Sequence, residues 1–174
     1  GLQELLNITD KFAKKYHIEF GKDKSKYIAI GDKKTRENFK LGNLDIERVS
    51  QYKYLGEIIC ETKSLMNHLD ETQRKAEVAY QTILMVAGNK ELQGIEMKTI
   101  WKLLDTCIMP IITYGSETWN LNGREKTKAN RILDSLLKRI LMTPTTTPIE
   151  SLYIETGLLD VVHQAEVKQV MMHN

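Results

Sequence analysis

The sequence is poor in the residues that define several classes of protein. Its 174 residues contain two cysteines, three prolines and ten glycines, too few for a disulfide scaffold or a collagen-like chain. No apolar run approaches the ~20 residues that cross a bilayer, and the first residues lack the basic-then-apolar order of a secretory signal. We therefore expect a soluble, intracellular chain without a membrane partner.

The sequence also lacks the residue clusters that carry catalysis or bind metal. Cys60 and Cys107 have no Cys-x-x-Cys or Cys-to-His partner, so buried thiols and no metal site are predicted. The adjacent acidic pair Asp70-Glu71 is expected to open a helix, where the helix dipole explains it. Surface positions are predicted for the histidines, which are His17, His68, His163 and His173. No catalytic centre follows from these residues.

The composition is nevertheless that of a chain that folds. Hydrophobic residues make up 41% and charged residues 28% of the sequence, which excludes a wholly disordered chain. The length suits one ordinary domain or two small ones. The sequence begins at Gly1 and stops at Asn174, each inside a helical pattern, so we expect a fragment of a longer protein.

Basic residues are concentrated near the amino terminus, although the net charge is only +2. Between Lys11 and Lys40 there are ten basic and four acidic residues. A phosphate backbone is the natural partner for such a patch. The alternative, which charge alone leaves open, is a solvated lysine-rich face on an ordinary domain.

The first sixty residues predict a helix followed by a small antiparallel sheet. Apolar residues at helical spacing between Leu2 and Tyr16 indicate an amphipathic helix that ends near His17. Short alternating or β-branched runs bounded by glycine then predict strands. These runs are residues 18–20, 27–30, 39–41, 44–46 and a hairpin within 49–59, with Gly42-Asn43 as a turn.

After Cys60 the apolar period becomes helical, and three amphipathic helices predict a small bundle. Their apolar stripes cover residues 69–87, 97–112 and 129–141, and Gly88-Asn89 is expected to end the first. Pro110 must kink or end the second helix, because proline has no backbone donor. Asn122 and Glu125 are predicted to form the capping pair of the third helix.

A shorter helix is predicted after residues 143–148, which form a loop by composition. Thr147 would cap this helix, Pro148 would take its first position and Gly157 would end it. The predicted fold class is therefore α+β, with a helix and a small antiparallel sheet followed by an all-α bundle. We divide the chain at residues 1–62, 63–143 and 144–174.

Four short motifs resemble, in their order and separation, the reverse transcriptases of non-LTR (LINE-type) retrotransposons. They are residues 2–6, Lys24-Ser25-Lys26, Tyr52-Lys53-Tyr54-Leu55-Gly56 and Tyr114-Gly115-Ser116-Glu117-Thr118-Trp119. The resemblance covers nearly the whole chain and implies the end of the palm, the thumb and the stretch after it. The catalytic Tyr/Phe-x-Asp-Asp hairpin of that family would lie before Gly1, so we expect the chain to lack the catalytic aspartates.

The resemblance implies roles for two N-terminal motifs. Lys24 and Lys26 resemble the lysine-bearing turn that ends the palm, where a lysine, here preferably Lys24, is proposed to help pyrophosphate leave. Tyr52 and the string Tyr54-Leu55-Gly56 resemble the primer grip, a hairpin that holds the 3′ end of the growing strand. The plainer alternatives are solvated lysines and an ordinary strand with a glycine bulge.

The helices after this hairpin resemble the thumb, which lies along a template-primer duplex. Exposed residues such as Arg74, Lys75 and Lys98 would contact its phosphates and minor groove. For Trp119 we favour a structural role, in which its buried ring anchors a turn between two helices.

Three functions follow as hypotheses. The first is a fragment of an RNA-directed DNA polymerase that binds an RNA template and a DNA primer, packs against the remainder of the palm and fingers, and is inactive alone. The complete polymerase would use Mg²⁺, and its parent element would be nuclear and cytoplasmic. The second is a repurposed or decayed helical protein-interaction module that uses an exposed apolar position on the helix of Leu133. The third is a translated relic without function.

Overall fold

The computed structural model describes residues 1–31, 37–62, 64–87, 92 and 94–172. The chain divides into two compact units, the N-terminal unit Gly1–Ser64 and the C-terminal unit Leu65–Asn174. Strands and helix occur in the first unit and helices in the second, so the coarse α+β class is confirmed. A further boundary near residue 143 stays a prediction. Residues outside the description include the predicted helix stop Gly88-Asn89, the basic residues Lys33, Lys34 and Arg36, and His173.

The N-terminal unit consists of a helix and two small sheets. Its elements are α1 (Leu2–Tyr16), β1 (Lys26–Tyr27), β2 (Phe39–Leu41), β3 (Leu44–Arg48), β4 (Gln51–Tyr54) and β5 (Glu57–Cys60). One sheet has the order β1-β3-β2, and the other pairs β4 with β5. The Gln3 side chain of α1 donates to the Lys40 carbonyl at 2.8 Å and accepts from the Lys40 N–H at 2.9 Å. The helix thereby satisfies the outer edge of β2.

The predicted strands differ from the structure in three respects, the first being that only Tyr27 of the strand predicted at residues 27–30 lies in a strand, β1. Strand β1 runs parallel to β3, with Lys26 opposite Glu47, so the expectation of an antiparallel sheet holds for β2–β3 and β4–β5 alone among the described strands. Residues 18–20 form no strand. Helix α1 ends as predicted at His17, which has a φ of 53°. Because the Ile18 N–H then donates to the Ala13 carbonyl, it is not available to a strand ladder.

The turn between β2 and β3 requires glycine. Gly42 has a φ of +61°, and a Cβ built on it would lie 2.4 Å from Oδ1 of Asp10. Side chains other than hydrogen are strained at this φ, and the Asp10 side chain of α1 would have to move to admit one. The turn predicted at Gly42-Asn43 is therefore confirmed, with a packing reason that the sequence did not reveal.

The C-terminal unit is a bundle of helices. Its elements are α2 (Met66–Val86), α3 (Met97–Leu103), a π-turn (Leu104–Ile108), α4 (Met109–Ile112), α5 (Gly123–Ile140), α6 (Ile149–Thr156) and α7 (Val161–Met172). The interruption predicted at Pro110 is confirmed, since the π-turn lies directly before it. In a regular α-helix the proline ring would collide with the carbonyl of Thr106, and the wider turn relieves that conflict.

The core of this unit is built from the predicted apolar stripes. Leu69, Ile112, Leu133 and Leu137 are each 0% exposed. They come from α2, α4 and α5, so three separate stretches of sequence meet in one core. Burying a leucine or isoleucine side chain stabilises a fold by roughly 1.5–3 kcal/mol relative to leaving it in water. This packing holds the helices of the unit together.

One buried carboxylate caps two helices of the C-terminal unit. The predicted pair at the start of α5 is confirmed, because Glu125 N–H donates to Asn122 Oδ1 and Asn122 N–H donates to Glu125 Oε2 at 3.0 Å. The other carboxylate oxygen of Glu125 accepts from the N–H of Leu65 at 2.8 Å. Since Leu65 is the N-cap residue of α2, Glu125 fixes the starts of both helices.

Helix α6 begins one residue later than predicted. It starts at Ile149, Pro148 is its N-cap, and no side-chain cap bond is formed there. The Thr147 N–H donates to the Pro144 carbonyl, so Thr147 belongs to the preceding turn rather than to the helix start. Gly157 ends α6 as predicted, with a φ of 68°.

Three predictions about single residues are wrong. Cys60 is buried, but Cys107 is exposed, because the π-turn directs Leu104 and Ile108 rather than Cys107 into the core. His68 is 3% exposed, not a surface residue. The pair Asp70-Glu71 does not open α2, which begins at Met66. No helix in the described part of the chain has both the length and the apolar character that a membrane span requires.

Candidate nucleic-acid interface

The β4–β5 hairpin presents an aromatic and a leucine side chain at its tip. Tyr54 pairs with Glu57, so Leu55 and Gly56 form the two-residue loop. Their φ values are 48° and 91°, which correspond to a type I′ turn. Gly56 is suited to this position, whereas a leucine at positive φ is unusual. Tyr54 is 58% exposed and Leu55 73% exposed, so the hairpin tip, residues 54–57, offers apolar surface to solvent.

A lysine-bearing turn lies beside this hairpin. Residues Lys22–Lys24 form a single turn of 3-10 helix, and the Ser25 hydroxyl closes it by donating to the Gly21 carbonyl at 3.0 Å. The Tyr52 hydroxyl of β4 donates to the Lys24 carbonyl at 3.1 Å. The half-buried Tyr52 therefore positions the turn, while the Lys24 side chain stays exposed. We call residues 21–25 the lysine turn.

Lys26 is in a different electrostatic situation from Lys24. Its ammonium group lies 2.5 Å from Oε2 of Glu47, and 19% of its side chain is exposed. The hydrogen bond to Glu47 raises the pKa of Lys26, and the same bond lowers the pKa of Glu47. The positive charge of Lys26 is thus matched within the protein. Of the two lysines in the Lys24-Ser25-Lys26 motif, Lys24 is the one whose charge faces solvent.

Alternation along β4 separates its side chains between two faces. Tyr52 and Tyr54 lie on one face and Gln51 and Lys53 on the other, because successive strand residues point in opposite directions. The exposed Lys53 therefore cannot join Tyr54 on the same face of the hairpin. The structure brings the lysine turn, Tyr52 and the hairpin tip together within the N-terminal unit.

The predicted contacts on α2 belong to the C-terminal unit. Arg74 donates through Nε and Nη2 to both carboxylate oxygens of Glu71, each at 2.9 Å, and this bond raises the pKa of Arg74. Lys75 is half-buried, and Lys98 on α3 is exposed. A bidentate partner reduces what Arg74 can offer to a phosphate.

The sequence analysis missed a row of basic residues on α5. Arg124, Lys128, Arg131 and Lys138 recur at helical spacing, which lines them along one side of the helix. Lys128 is bound to Asp70 at 2.8 Å. Arg124, Lys128 and Arg131 have the spacing i, i+4, i+7, and this spacing indicates the basic row from the sequence alone. The prediction for this helix depended on its apolar stripe instead. Arg131 and Lys138 line a groove between α2 and α5 with a volume of about 1350 Å³.

The structural role predicted for Trp119 is confirmed. Trp119 is 5% exposed, and its ring centre lies 5.9 Å from that of His68. Gln169 of α7 donates to the Trp119 carbonyl at 2.7 Å and to the Ser116 carbonyl at 3.2 Å. These bonds tie the turn after α4 to α7.

Three comparisons with known proteins found no match. Neither a protein-family model, nor a curated protein, nor a solved structure matches the chain. Within the described ranges, no group of three or more histidine, cysteine, aspartate or glutamate side chains is placed to hold a metal ion.

Proposed function

We propose that this chain is part of an RNA-directed DNA polymerase of the non-LTR retrotransposon type and contributes to binding the template-primer duplex. The observation that carries the proposal is the joint placement of the lysine turn and the exposed hairpin tip, linked by the bond from Tyr52 to the Lys24 carbonyl. Both features coincide with the motifs that resemble that family. The catalytic aspartates and the remainder of the palm and fingers would belong to another part of the polymerase.

The chemistry of the hairpin tip suits the end of a nucleic-acid strand. Gly56 lets the backbone come close to a sugar-phosphate, because no side chain intervenes. The exposed ring of Tyr54 can pack on a ribose or a base, an interaction worth roughly 1–3 kcal/mol per base in single-strand binding. Leu55 adds apolar surface at the same place. Together these residues would hold the growing 3′ end.

The exposed ammonium group of Lys24 would interact with phosphate groups of the bound nucleotide or nucleic acid. A lysine beside the incoming triphosphate can stabilise negative charge on the leaving pyrophosphate or donate a proton to it. The carbonyl of Lys24 is already fixed by Tyr52, so the backbone that carries this side chain is held. In an isolated chain the same ammonium would contribute one phosphate contact.

Binding to an RNA-DNA hybrid tests the proposal. The affinity of the full chain for a labelled hybrid should fall steeply with salt, since phosphate contacts release counterions. Lys24→Ala should weaken binding and reduce the salt slope by about one unit. The exposed Lys102 on α3 provides a matched control, and Lys102→Ala should leave both quantities unchanged. A salt-independent affinity, or equal losses in the two variants, would contradict the proposal.

The second candidate function is a protein-interaction module, which one observation favours. Leu5, Ile8 and Phe12 of α1 are 62%, 63% and 55% exposed, and their spacing places them along one side of the helix. In contrast, α5 offers no exposed apolar position of the predicted kind, because its apolar residues are all buried, namely Ala129, Ile132, Leu133, Leu136, Leu137 and Ile140. We call residues 5, 8 and 12 the α1 stripe.

The two candidates respond differently to the same pair of variants. If the α1 stripe binds a protein partner as the chain's function, Phe12→Gln should abolish that function and Lys24→Ala should leave it intact. If the chain is a polymerase fragment, Lys24→Ala should impair hybrid binding and Phe12→Gln should impair association with the remaining palm. Complementation of hybrid binding by a separately expressed palm segment would distinguish these outcomes.

A further inference from the structure

The groove between α2 and α5 has features that the proposed polymerase function does not use. Its apolar floor includes Leu84 and the strongly exposed Met85 of α2, together with Met142 just beyond α5. Methionine side chains are flexible and polarizable and adapt to varied apolar partners. Met85 is 81% exposed, so this apolar surface is open to a ligand rather than sealed in the core.

The rim of the groove on the α5 side is basic. Arg131 and Lys138 both line it, and they are seven residues apart, which is about 10 Å along the helix axis. Among the described residues, no hydrogen bond or ion pair involves the Arg131 side chain. The Lys138 ammonium donates to the neutral carbonyl of Thr145 at 2.6 Å, which leaves its charge uncompensated by that partner.

The other charges of the groove are largely balanced within the protein. Arg139 binds Glu77 at 2.5 Å and stacks over the Tyr80 ring at 4.4 Å. Asp134, which also lines the groove, accepts a hydrogen bond from the neutral Tyr153 hydroxyl at 2.7 Å, and burial raises the pKa of its carboxyl group, while the positive charge of Lys138 opposes that rise. Lys138 and Asp134 therefore offset each other in part, and Arg131 supplies most of the positive charge that a ligand would meet.

We propose that the α2/α5 groove is a docking site for an acidic amphipathic peptide helix. The exposed side chains of Met85 and Met142 would take the apolar face of such a helix, and Arg131 and Lys138 would pair with acidic side chains two helical turns apart. A single-stranded nucleic acid fits less well, because it needs aromatic stacking platforms. Tyr80, the aromatic residue that lines the groove, is 3% exposed and covered by Arg139.

A designed peptide provides the probe. It would be about 16 residues long, or roughly four helical turns, with leucines at i+3 and i+4 between glutamates at i and i+7. An isomer of identical composition, whose glutamates lie on the opposite face, is the control peptide. Binding of the fluorescein-labelled peptides to the full chain would be measured by anisotropy, with poly(U) RNA as competitor.

Matched variants separate the groove from the rest of the surface. Arg131→Glu should weaken binding at least roughly tenfold, whereas Lys102→Glu, a charge reversal at an exposed residue of α3 that does not line the groove, should not alter it. Met85→Gln should weaken binding severalfold. Met171→Gln should have no effect, since Met171 is 73% exposed on α7 and does not line the groove. Circular dichroism would verify that all four variants are folded.

The outcomes decide the proposal. Saturable binding of the designed peptide, weaker binding of the isomer and losses confined to Arg131→Glu and Met85→Gln would support it. Absence of saturable binding, or an equal loss in Lys102→Glu, would overturn it. Displacement of the peptide by poly(U) RNA, with RNA affinity sensitive to Arg131→Glu and insensitive to Met85→Gln, would also overturn it and identify a nucleic-acid site instead.

Discussion

The two units bury their apolar residues to very different degrees. In the described part of the N-terminal unit, the buried apolar side chains are those of Ala13, Leu41, Ile46 and Cys60. The C-terminal unit buries side chains from every helix of its bundle, and Leu69, Leu133 and Leu137 are 0% exposed. The first unit is held largely by backbone pairing and polar contacts, and the second by a packed core.

Helices α1 and α5 show what this difference teaches. Both have a clear amphipathic pattern in the sequence, and both form helices. The apolar side of α5 is buried, whereas the α1 stripe is more than half exposed. An amphipathic pattern therefore predicts a helix, but it does not determine whether the surface that covers the apolar side is supplied by the same unit.

The largest expected effect is the contrast between a leucine of each helix. Leu133→Ala should destabilise the C-terminal unit by about 3 kcal/mol, because it removes buried methyl groups and leaves a cavity. Leu5→Ala should change stability by less than about 0.5 kcal/mol, since Leu5 is 62% exposed. Both tryptophans, Trp101 and Trp119, lie in the C-terminal unit, so their fluorescence during urea unfolding reports the effect of Leu133→Ala, whereas hydrogen exchange of the α1 amides reports the effect of Leu5→Ala in the N-terminal unit. Equal losses of stability in the two variants would contradict the contrast between the buried side of α5 and the exposed α1 stripe.

The next largest effect concerns Glu125, which caps two helices. Glu125→Ala should cost about 2 kcal/mol, because the N–H groups of Leu65 and Asn122 lose their acceptor. Glu125→Gln should be intermediate, since an amide offers one acceptor oxygen instead of two. Glu150→Ala, at an exposed first-turn residue of α6, is the control and should cost no more than about 0.5 kcal/mol. A cost for Glu125→Ala as small as that of the control would show that the caps add little.

A glycine substitution tests the N-terminal unit. Gly42→Ala should destabilise the β2–β3 turn by more than about 1 kcal/mol, because of its φ of +61° and the 2.4 Å approach to Asp10. Gly123→Ala should be neutral or slightly stabilising, since nothing lies within 4 Å of the added Cβ and its φ is ordinary. Hydrogen exchange of the β2 and β3 amides would report the first change and tryptophan fluorescence the second. Similar results at both glycines would contradict the packing of α1 on this turn.

The smallest effect is a pH dependence caused by His68. Burial and, next, the positive charge of Lys75 lower the pKa of His68, while Glu71 opposes them. Between the folded-state pKa and about pH 6.5 the unfolded chain binds a proton that the folded chain does not. Stability should therefore decrease as pH falls below about 6.5 and should level off once the folded-state pKa is passed.

Replacement of the imidazole isolates this contribution. Within the described residues neither ring nitrogen of His68 has a hydrogen-bond partner, so Phe can fill the site without leaving a polar group unpaired. Urea unfolding of His68→Phe, followed by tryptophan fluorescence between about pH 5 and pH 8, should lose this dependence. His17→Asn, at an exposed left-handed position, should keep it. An unchanged pH profile in His68→Phe would exclude His68 as its source.

Local signals in the sequence predicted the helix ends and turns well. The end of α1 at His17, the break before Pro110 and the capping pair of Asn122 and Glu125 each depend on residues close in the chain. The exposed hairpin turn at Leu55-Gly56 agrees with the predicted hairpin. Such features depend on backbone geometry, which a few neighbouring residues determine.

Features that depend on distant residues could not be predicted. Strand β1 pairs in parallel with β3, and Glu125 accepts from Leu65, which lies 60 residues earlier. The ion pair between Lys26 and Glu47 likewise joins two strands. Each of these contacts depends on the tertiary fold, and no residue spacing in the sequence predicts it. Only the structure therefore shows that Lys26 is paired with Glu47 whereas the Lys24 side chain faces solvent.

The central claim is that the hairpin tip holds the 3′ end of a growing strand, and photo-crosslinking tests it most directly. A DNA primer with a photoreactive base at its 3′ end, annealed to an RNA template, would be irradiated with the full chain and the crosslinked residue identified by mass spectrometry. We predict crosslinks within residues 52–56, and their loss in Tyr54→Ala. Crosslinks confined to other residues, or a pattern unchanged in Tyr54→Ala, would contradict the account.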